Sequence, residues 1–286
     1  MIWPEEVWQQ RRLDHEQRVD EWVLGRQERR ARGDRHPVDD FLFEYYPYSV
    51  NKLRTWHPGF GITLAGDDAT LGLYRSHPDY IATDEGVTAN GERFDRYRAR
   101  RDLVVRILAN TQERPAQTHC FGMHEWAMVY GQEQDDIRHA SVPLRLTPDA
   151  IRSTVDEIGL RCTHLDAYRF FTPAAAERNA ITPTRESQPD LEQPGCLHAN
   201  MDLYKYAMWF SPFIGSDLIA DCFAFARGAR TLDMQASPYD LGDFGYEPIR
   251  LETVDGRREY VKQQNALTRS AEPLREQLLT ALRELP

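Results

Sequence analysis

VPLRLTPDAIRSTVDEIGLRCTHLDAYRFF, residues 142–171, is the stretch on which the fold class turns. A short apolar run from Val142 leads into Thr147-Pro148-Asp149, which reads as cap and first turn of a helix. Thr accepts a backbone N–H, Pro fits the first helical position, and an early acid suits the helix dipole. Helical spacing continues to Glu157, and Gly159 stands where a left-handed C-terminal residue is expected. A second extended run then reads as a strand through Phe171. Together these make a β-α-β unit, whose strands, as neighbours in one sheet, would be parallel with a right-handed crossover.

Working outward, Glu5 to Arg32 has the pattern of a long amphipathic helix with Trp8, His15, Val19 and Trp22 on one face and Gly33 at its end. Shorter helices are expected from His36 to Tyr46 and from Ser49 to Trp56, and a longer one from about Arg93 to Gln112. Two hairpins are expected: Ile62–Leu64 with Thr70–Tyr74, turning at Gly66-Asp67-Asp68, and Ile249–Thr253 with Arg258–Val261, turning at Asp255-Gly256. Leu197 to Phe210, Asp217 to Asp233 and the Leu-rich C-terminus read as helices. The expectation is a helix-rich α+β fold with a small mixed sheet containing one β-α-β unit and two hairpins. Residues 1–286 would form one compact domain, with 1–35 a peripheral amphipathic helix, because no linker or composition break divides the chain.

Composition narrows function. Apolar residues at 41% suffice for a sizeable core, which makes long disorder unexpected. A formal charge of −10 opposes the counterion-releasing contacts that duplex DNA requires, so duplex binding is not expected. The start of the chain lacks a basic and apolar leader, and the most apolar stretch, Tyr204 to Ala226, is broken by Pro212, Gly215, Asp217 and Asp221. Cytoplasmic residence without a membrane partner is the expectation. Cys120, Cys162, Cys196 and Cys222 form no C-x-x-C pair and read as buried thiols.

Three constellations could carry chemistry. In CLHANMDLYKY, residues 196–206, His198, Asp202 and Tyr206 recur every four positions on one helix face, an arrangement that suits a metal or an acid/base couple. In the expected strand from Arg161, alternation would put Cys162, His164, Asp166, Tyr168 and Phe170 on one face. Around HCFGMHEW, residues 119–126, His124 shares a helical face with Cys120, and His139 follows downstream. The Pro-rich segment Ile181 to Gly195 reads as a loop at the pocket rim, with Arg185, Gln188 and Gln193 as hydrogen-bonding groups. Crowded aromatics at Phe41–Trp56 and Tyr204–Phe213 suit a core, or a sandwich for a planar ligand.

The strings HPVDDFLFEYY (36–46), CFGMHEW (120–126), CTHLDAYRFFTP (162–173), QPGCLHANMDLYKYAMWFSP (193–212) and DLIADCFAFA (217–226) resemble those of a family of bacterial proteins labelled 3-methyladenine DNA glycosylase. That resemblance implies a hydrolase cleaving an N-glycosidic bond in a nucleobase-containing substrate. On this reading Asp166 or Asp202 activates water or stabilises charge on the sugar, with His198 and His164 beside them. Tyr168, Tyr204, Tyr206, Lys205, Arg185 and Gln193 would bind the substrate. The alternative is an enzyme dependent on one divalent metal, acting on a small molecule, with His124, His164, His198 and Asp202 as candidate ligands. A non-catalytic ligand-binding protein is the third reading.

Overall fold

The structure, a computed structural model, describes residues 1–137 and 141–286. His139, singled out above, lies outside them. The fold is helix-rich α+β with a small mixed sheet of four strands. The elements in chain order are β1 (Ile2–Trp3), α1 (Glu5–Arg32), α2 (Phe41–Tyr45), α3 (Val50–Arg54), β2 (Thr63–Leu64), α4 (Gly72–Arg75), β3 (Tyr80–Thr83) and β4 (Gly86–Ala89). They continue with α5 (Arg98–Glu113), α6 (His124–Val129), α7 (Pro148–Ile158), α8 (Leu165–Tyr168), α9 (Pro173–Ala176), α10 (Gln188–Leu191), α11 (Leu197–Trp209), α12 (Ser216–Gln235) and α13 (Val254–Arg283). No described helix is long and apolar enough to cross a membrane.

The chain groups into two compact units. Unit 1 comprises Met1–Val105, Leu203–Ala224 and Glu276–Pro286; unit 2 comprises Arg106–Asp202 and Phe225–Arg275. Unit 1 holds the sheet, in the order β1-β2-β4-β3, with β1 parallel to β2 and the other pairs antiparallel. Trp8, Trp56, Leu64, Tyr74 and Val87 pack as its core, each such buried side chain contributing about 1.5–3 kcal/mol. The α1 helix buries Trp8, His15, Val19 and Val23, and ends at Gly33, whose φ of 79° lets its N–H reach the Arg29 and Arg30 carbonyls.

Three expected pieces of β structure are replaced, two through a local hydrogen bond and one through a bond from a side chain seventeen residues away. After β2 the chain turns helical because Asp67 accepts the Thr70 N–H at 2.9 Å and its carbonyl accepts the Leu71 N–H, so residues 72–75 form α4 rather than a hairpin strand. The sheet's hairpin is instead β3–β4. At the C-terminal end Thr253 Oγ1 accepts the Gly256 N–H at 3.0 Å and starts α13, so the expected second hairpin is the first turn of a helix.

The third correction bears on function. The α7 helix forms as expected, with Thr147 capping Ala150 and Gly159 at its end, but its flanks are not strands. Leu144 and Leu160 each make a single bridge, to Tyr239 and Asn179. The Asn179 side chain takes the Cys162 N–H at 2.8 Å and gives its own N–H to the Cys162 carbonyl at 2.9 Å, occupying the groups a neighbouring strand would use. Residues 161–164 are therefore irregular and α8 follows, its Tyr168 N–H bonded to the His164 carbonyl. There is no β-α-β sheet unit here.

Candidate functional site

Unit 2 brings together a buried polar cluster from five parts of the chain. The α6 helix supplies His124 and Glu125, α11 supplies His198 and Asp202, and α12 supplies Arg230 and Asp233. His164 immediately precedes α8, and Glu192 immediately follows α10. Each of these side chains is buried. Helical spacing explains the pairs: His198 and Asp202 are four apart, Arg230 and Asp233 three apart, so each pair shares a face.

At one end, His124 Nε2 lies 2.7 Å from Asp233 Oδ1. The distance suits a hydrogen bond, but the direction does not: neither atom has a directed hydrogen-bond partner among the described residues. Asp233 Oδ2 accepts from Arg230 NH1 at 2.6 Å, and the same nitrogen lies 2.6 Å from Glu125 Oε1. Burial works to raise the Asp233 pKa, yet the adjacent His124 and Arg230 charges outweigh it and hold the carboxyl below its usual range. The His198 ring meets that of His124 edge-on, with centroids 4.2 Å apart. Burial first, and the neighbouring His124 charge second, push the His198 pKa well below its ordinary value, so His198 is neutral with a lone pair to offer.

On its other side His198 stacks on His164 at 5.4 Å between centroids. His164 Nδ1 lies 2.8 Å from Glu192 Oε1, to which Gln188 Nε2 also donates at 3.1 Å. His164 Nε2 faces Asp202 Oδ2 at 3.7 Å. Donor atoms of His124, His198 and Asp233 all fall within 4.8 Å of one another, and the same holds for His164, Asp166 and Asp202 and for His164, Glu192 and Cys196.

A cavity of about 20 Å³ opens onto these groups, walled by His124, His164, His198, Cys120, Cys162 and Cys196. Three imidazoles and three thiols thus border a space that takes a water or one ion and is far too small for a nucleobase. The cysteines are free of disulfides. Burial pushes each of these three thiols up, Cys162 to about 12. The cavity floor is strained: Phe121 has φ 45° and Gly122 φ 64°, and a Cβ at Gly122 would stand 2.7 Å from the Tyr260 hydroxyl.

Of the residues singled out in the sequence, His124, His164, His198 and Asp202 lie in this cluster, with Asp166 at its edge, held by Arg185 at 3.2 Å. Arg185 also donates to Gln188 at 2.9 Å. Gln193 is occupied in holding backbone: its side-chain oxygen accepts from Gln117 and Gly195, and its amide donates to the Gln117 carbonyl. Tyr168 packs on Phe171. Tyr204, Lys205 and Tyr206 belong to unit 1, where Tyr204 packs among Tyr46, Tyr48 and Phe223, and the Lys205 ammonium lies over the rings of Tyr206 and Trp209.

Asp233, Glu192, Arg230 and Tyr260 were not singled out. Arg230-x-x-Asp233 near the end of α12 and Gln188-x-x-x-Glu192 across Pro189 were the available signals. Comparison with protein-family models, with curated proteins and with solved structures gives no match.

Proposed function

We propose that this chain is a metal-dependent hydrolase of a small-molecule substrate, with His124, His198 and Asp233 as the ligands of a divalent transition metal. The observation that carries the reading is the approach of His124 Nε2 and Asp233 Oδ1 to 2.7 Å, both buried and neither satisfied by a directed hydrogen bond, beside a neutral His198. Nitrogen-rich donors with thiols nearby favour zinc or a similar ion over magnesium or calcium, which take oxygen ligands. A bound ion would also offset the charge of an interior in which four carboxyl groups, on Glu125, Glu192, Asp202 and Asp233, accompany two guanidiniums, on Arg230 and Arg275.

In such a site the ion supplies a water of lowered pKa. The protein's own part is to keep His198 neutral by burial, to fix Asp233 through Arg230, and to restrict the cavity to the reacting group. Hydrolysis by a lone carboxylate finds less support, because Asp166 is paired with Arg185 and Asp202 faces His164. A reducing cytoplasm would keep the three cavity thiols available, and the net negative charge favours a small substrate over duplex DNA.

Metal analysis of protein purified without chelator tests this. Bound zinc or a related ion, lost in H198Q and D233N variants that retain the parent's circular dichroism, is the expected result. Protein that carries no transition metal and takes up none in dialysis against zinc overturns it.

A further inference from the structure

We infer that Tyr260 is a further catalytic residue of this site, the hydrogen-bond donor to the oxygen held in its cavity. This rests on the metal-dependent reading above and deepens it. Tyr260 stands on α13 with no exposed surface, and its hydroxyl has no hydrogen-bond partner among the described residues. A hydroxyl sealed from water is normally paired, because burying it alone forfeits the bonds it made in solvent. Here the side chain borders the same cavity as His124 and His198, the two imidazoles assigned as ligands. That space of about 20 Å³ takes one water-sized group, so an oxygen in it lies against the imidazoles and within reach of the phenol.

The local structure keeps the phenol oxygen in place. Beside it the chain bends through Phe121 and Gly122, with φ 45° and 64°, and a Cβ on Gly122 would stand 2.7 Å from the Tyr260 hydroxyl. Glycine thus leaves room for that oxygen in the cavity wall. One helical turn on, Gln264 Nε2 donates to the Gly195 carbonyl at 2.7 Å and lies 3.6 Å from Cys120 Sγ, tying α13 to the chain beside Cys120 and Cys196. The other polar groups of the wall are poorer donors: imidazoles that ligate offer lone pairs to the ion, thiols donate weakly, and the Thr163 hydroxyl belongs to a partly exposed residue. A phenol is protonated at neutral pH, and an O–H aimed at an oxygen that gains negative charge acts more strongly in a water-poor site than in solvent. Tyr260 keeps its proton throughout: it orients the oxygen and stabilises its charge, and transfers nothing.

Titration of the Co²⁺-loaded protein with sodium fluoride tests this, with the visible spectrum as readout. Fluoride is a single-atom anion that accepts a strong hydrogen bond; chloride, a weak acceptor, is the control. Y260F should take up Co²⁺ as the parent does and bind fluoride about 10-fold or more weakly, the loss of one bond to a charged acceptor, while its chloride affinity changes by less than about 3-fold. Its metal-free form should be no less stable to urea than the parent, since removing an unpaired hydroxyl takes nothing from the fold. Equal fluoride affinity in the two proteins, or a parent spectrum indifferent to fluoride, overturns the role of Tyr260 and leaves the ion in place. No uptake of Co²⁺ by the parent overturns both readings. A metal-free Y260F that unfolds at clearly lower urea concentration assigns the hydroxyl to the fold and overturns its role as donor.

Discussion

Arg230 NH1 stands 2.6 Å from Asp233 Oδ2, one helical turn away on α12, while the carboxylate's other oxygen faces His124. The guanidinium therefore sets which oxygen is presented to His124. Arg230 is fully enclosed, and its partners Glu125 and Asp233 are equally buried. Replacing it with Met would strand two carboxylates in the interior, at a cost of about 3–5 kcal/mol. R230M should unfold at markedly lower urea concentration. The double variant E125Q/R230M should recover part of that loss, and a cycle of urea titrations on the singles and the double measures the coupling.

Gly122 offers a second test, through backbone strain. Its φ of 64° is one that side chains adopt at a cost of roughly 1–2 kcal/mol, and a Cβ there would press on the Tyr260 hydroxyl. G122A should lose more stability than this conformational cost alone, because the buried Tyr260 must shift. Shortening Tyr260 to Phe removes the contacting oxygen, so G122A in a Y260F background should be less destabilising than in the parent. Equal losses in the two backgrounds, by thermal unfolding, would exclude the contact as the cause.

Helices were legible wherever a cap and a periodic face coincided: α1 with Gly33, α7 with Thr147 and Gly159, and α11 with its His198/Asp202 face. Strands were less so. Residues 161–171 alternate as a strand would, yet Asn179, seventeen positions from Cys162, takes the backbone groups that a ladder needs. Such a long-range bond leaves no trace in local pattern. The histidines of the cluster were visible because their residue type carries the chemistry, whereas Asp233 and Glu192 looked like ordinary helix-surface acids until the fold buried them.

The pH dependence of stability should carry a contribution from His57 in unit 1. Burial, and then the nearby His77 charge, bring its pKa down to about 3, and its ring contacts the Tyr80 hydroxyl at 3.1 Å. The unfolded chain takes up this proton near 6.5, the folded protein only near 3. His57 thus costs nothing above pH 6.5, and stability is lost as pH falls from 6.5 toward 3, by up to about 1.4 kcal/mol per pH unit. H57Q should have a flatter stability profile than the parent between pH 6.5 and 4. Parallel profiles from urea titrations across that range would remove His57 from the account.

Asn179 connects the misread segment to the site. Its side chain accepts the Cys162 N–H, and its amide donates to the carbonyls of Cys162 and Ile181, clamping the chain two residues before His164. N179A removes all three bonds, each worth roughly 1 kcal/mol, for a loss of about 2–3 kcal/mol. N179D keeps the acceptor for Cys162 but loses both donated bonds, so its loss should be comparable or larger, because a carboxylate would then face two carbonyl oxygens. Because the clamp positions the loop that carries His164, whose ring stacks on His198, both variants should also lower Co²⁺ affinity at His124/His198/Asp233. Unfolding and metal titration measured on the same samples separate the two effects. A stability loss with the metal affinity unchanged would confine Asn179 to a purely structural role.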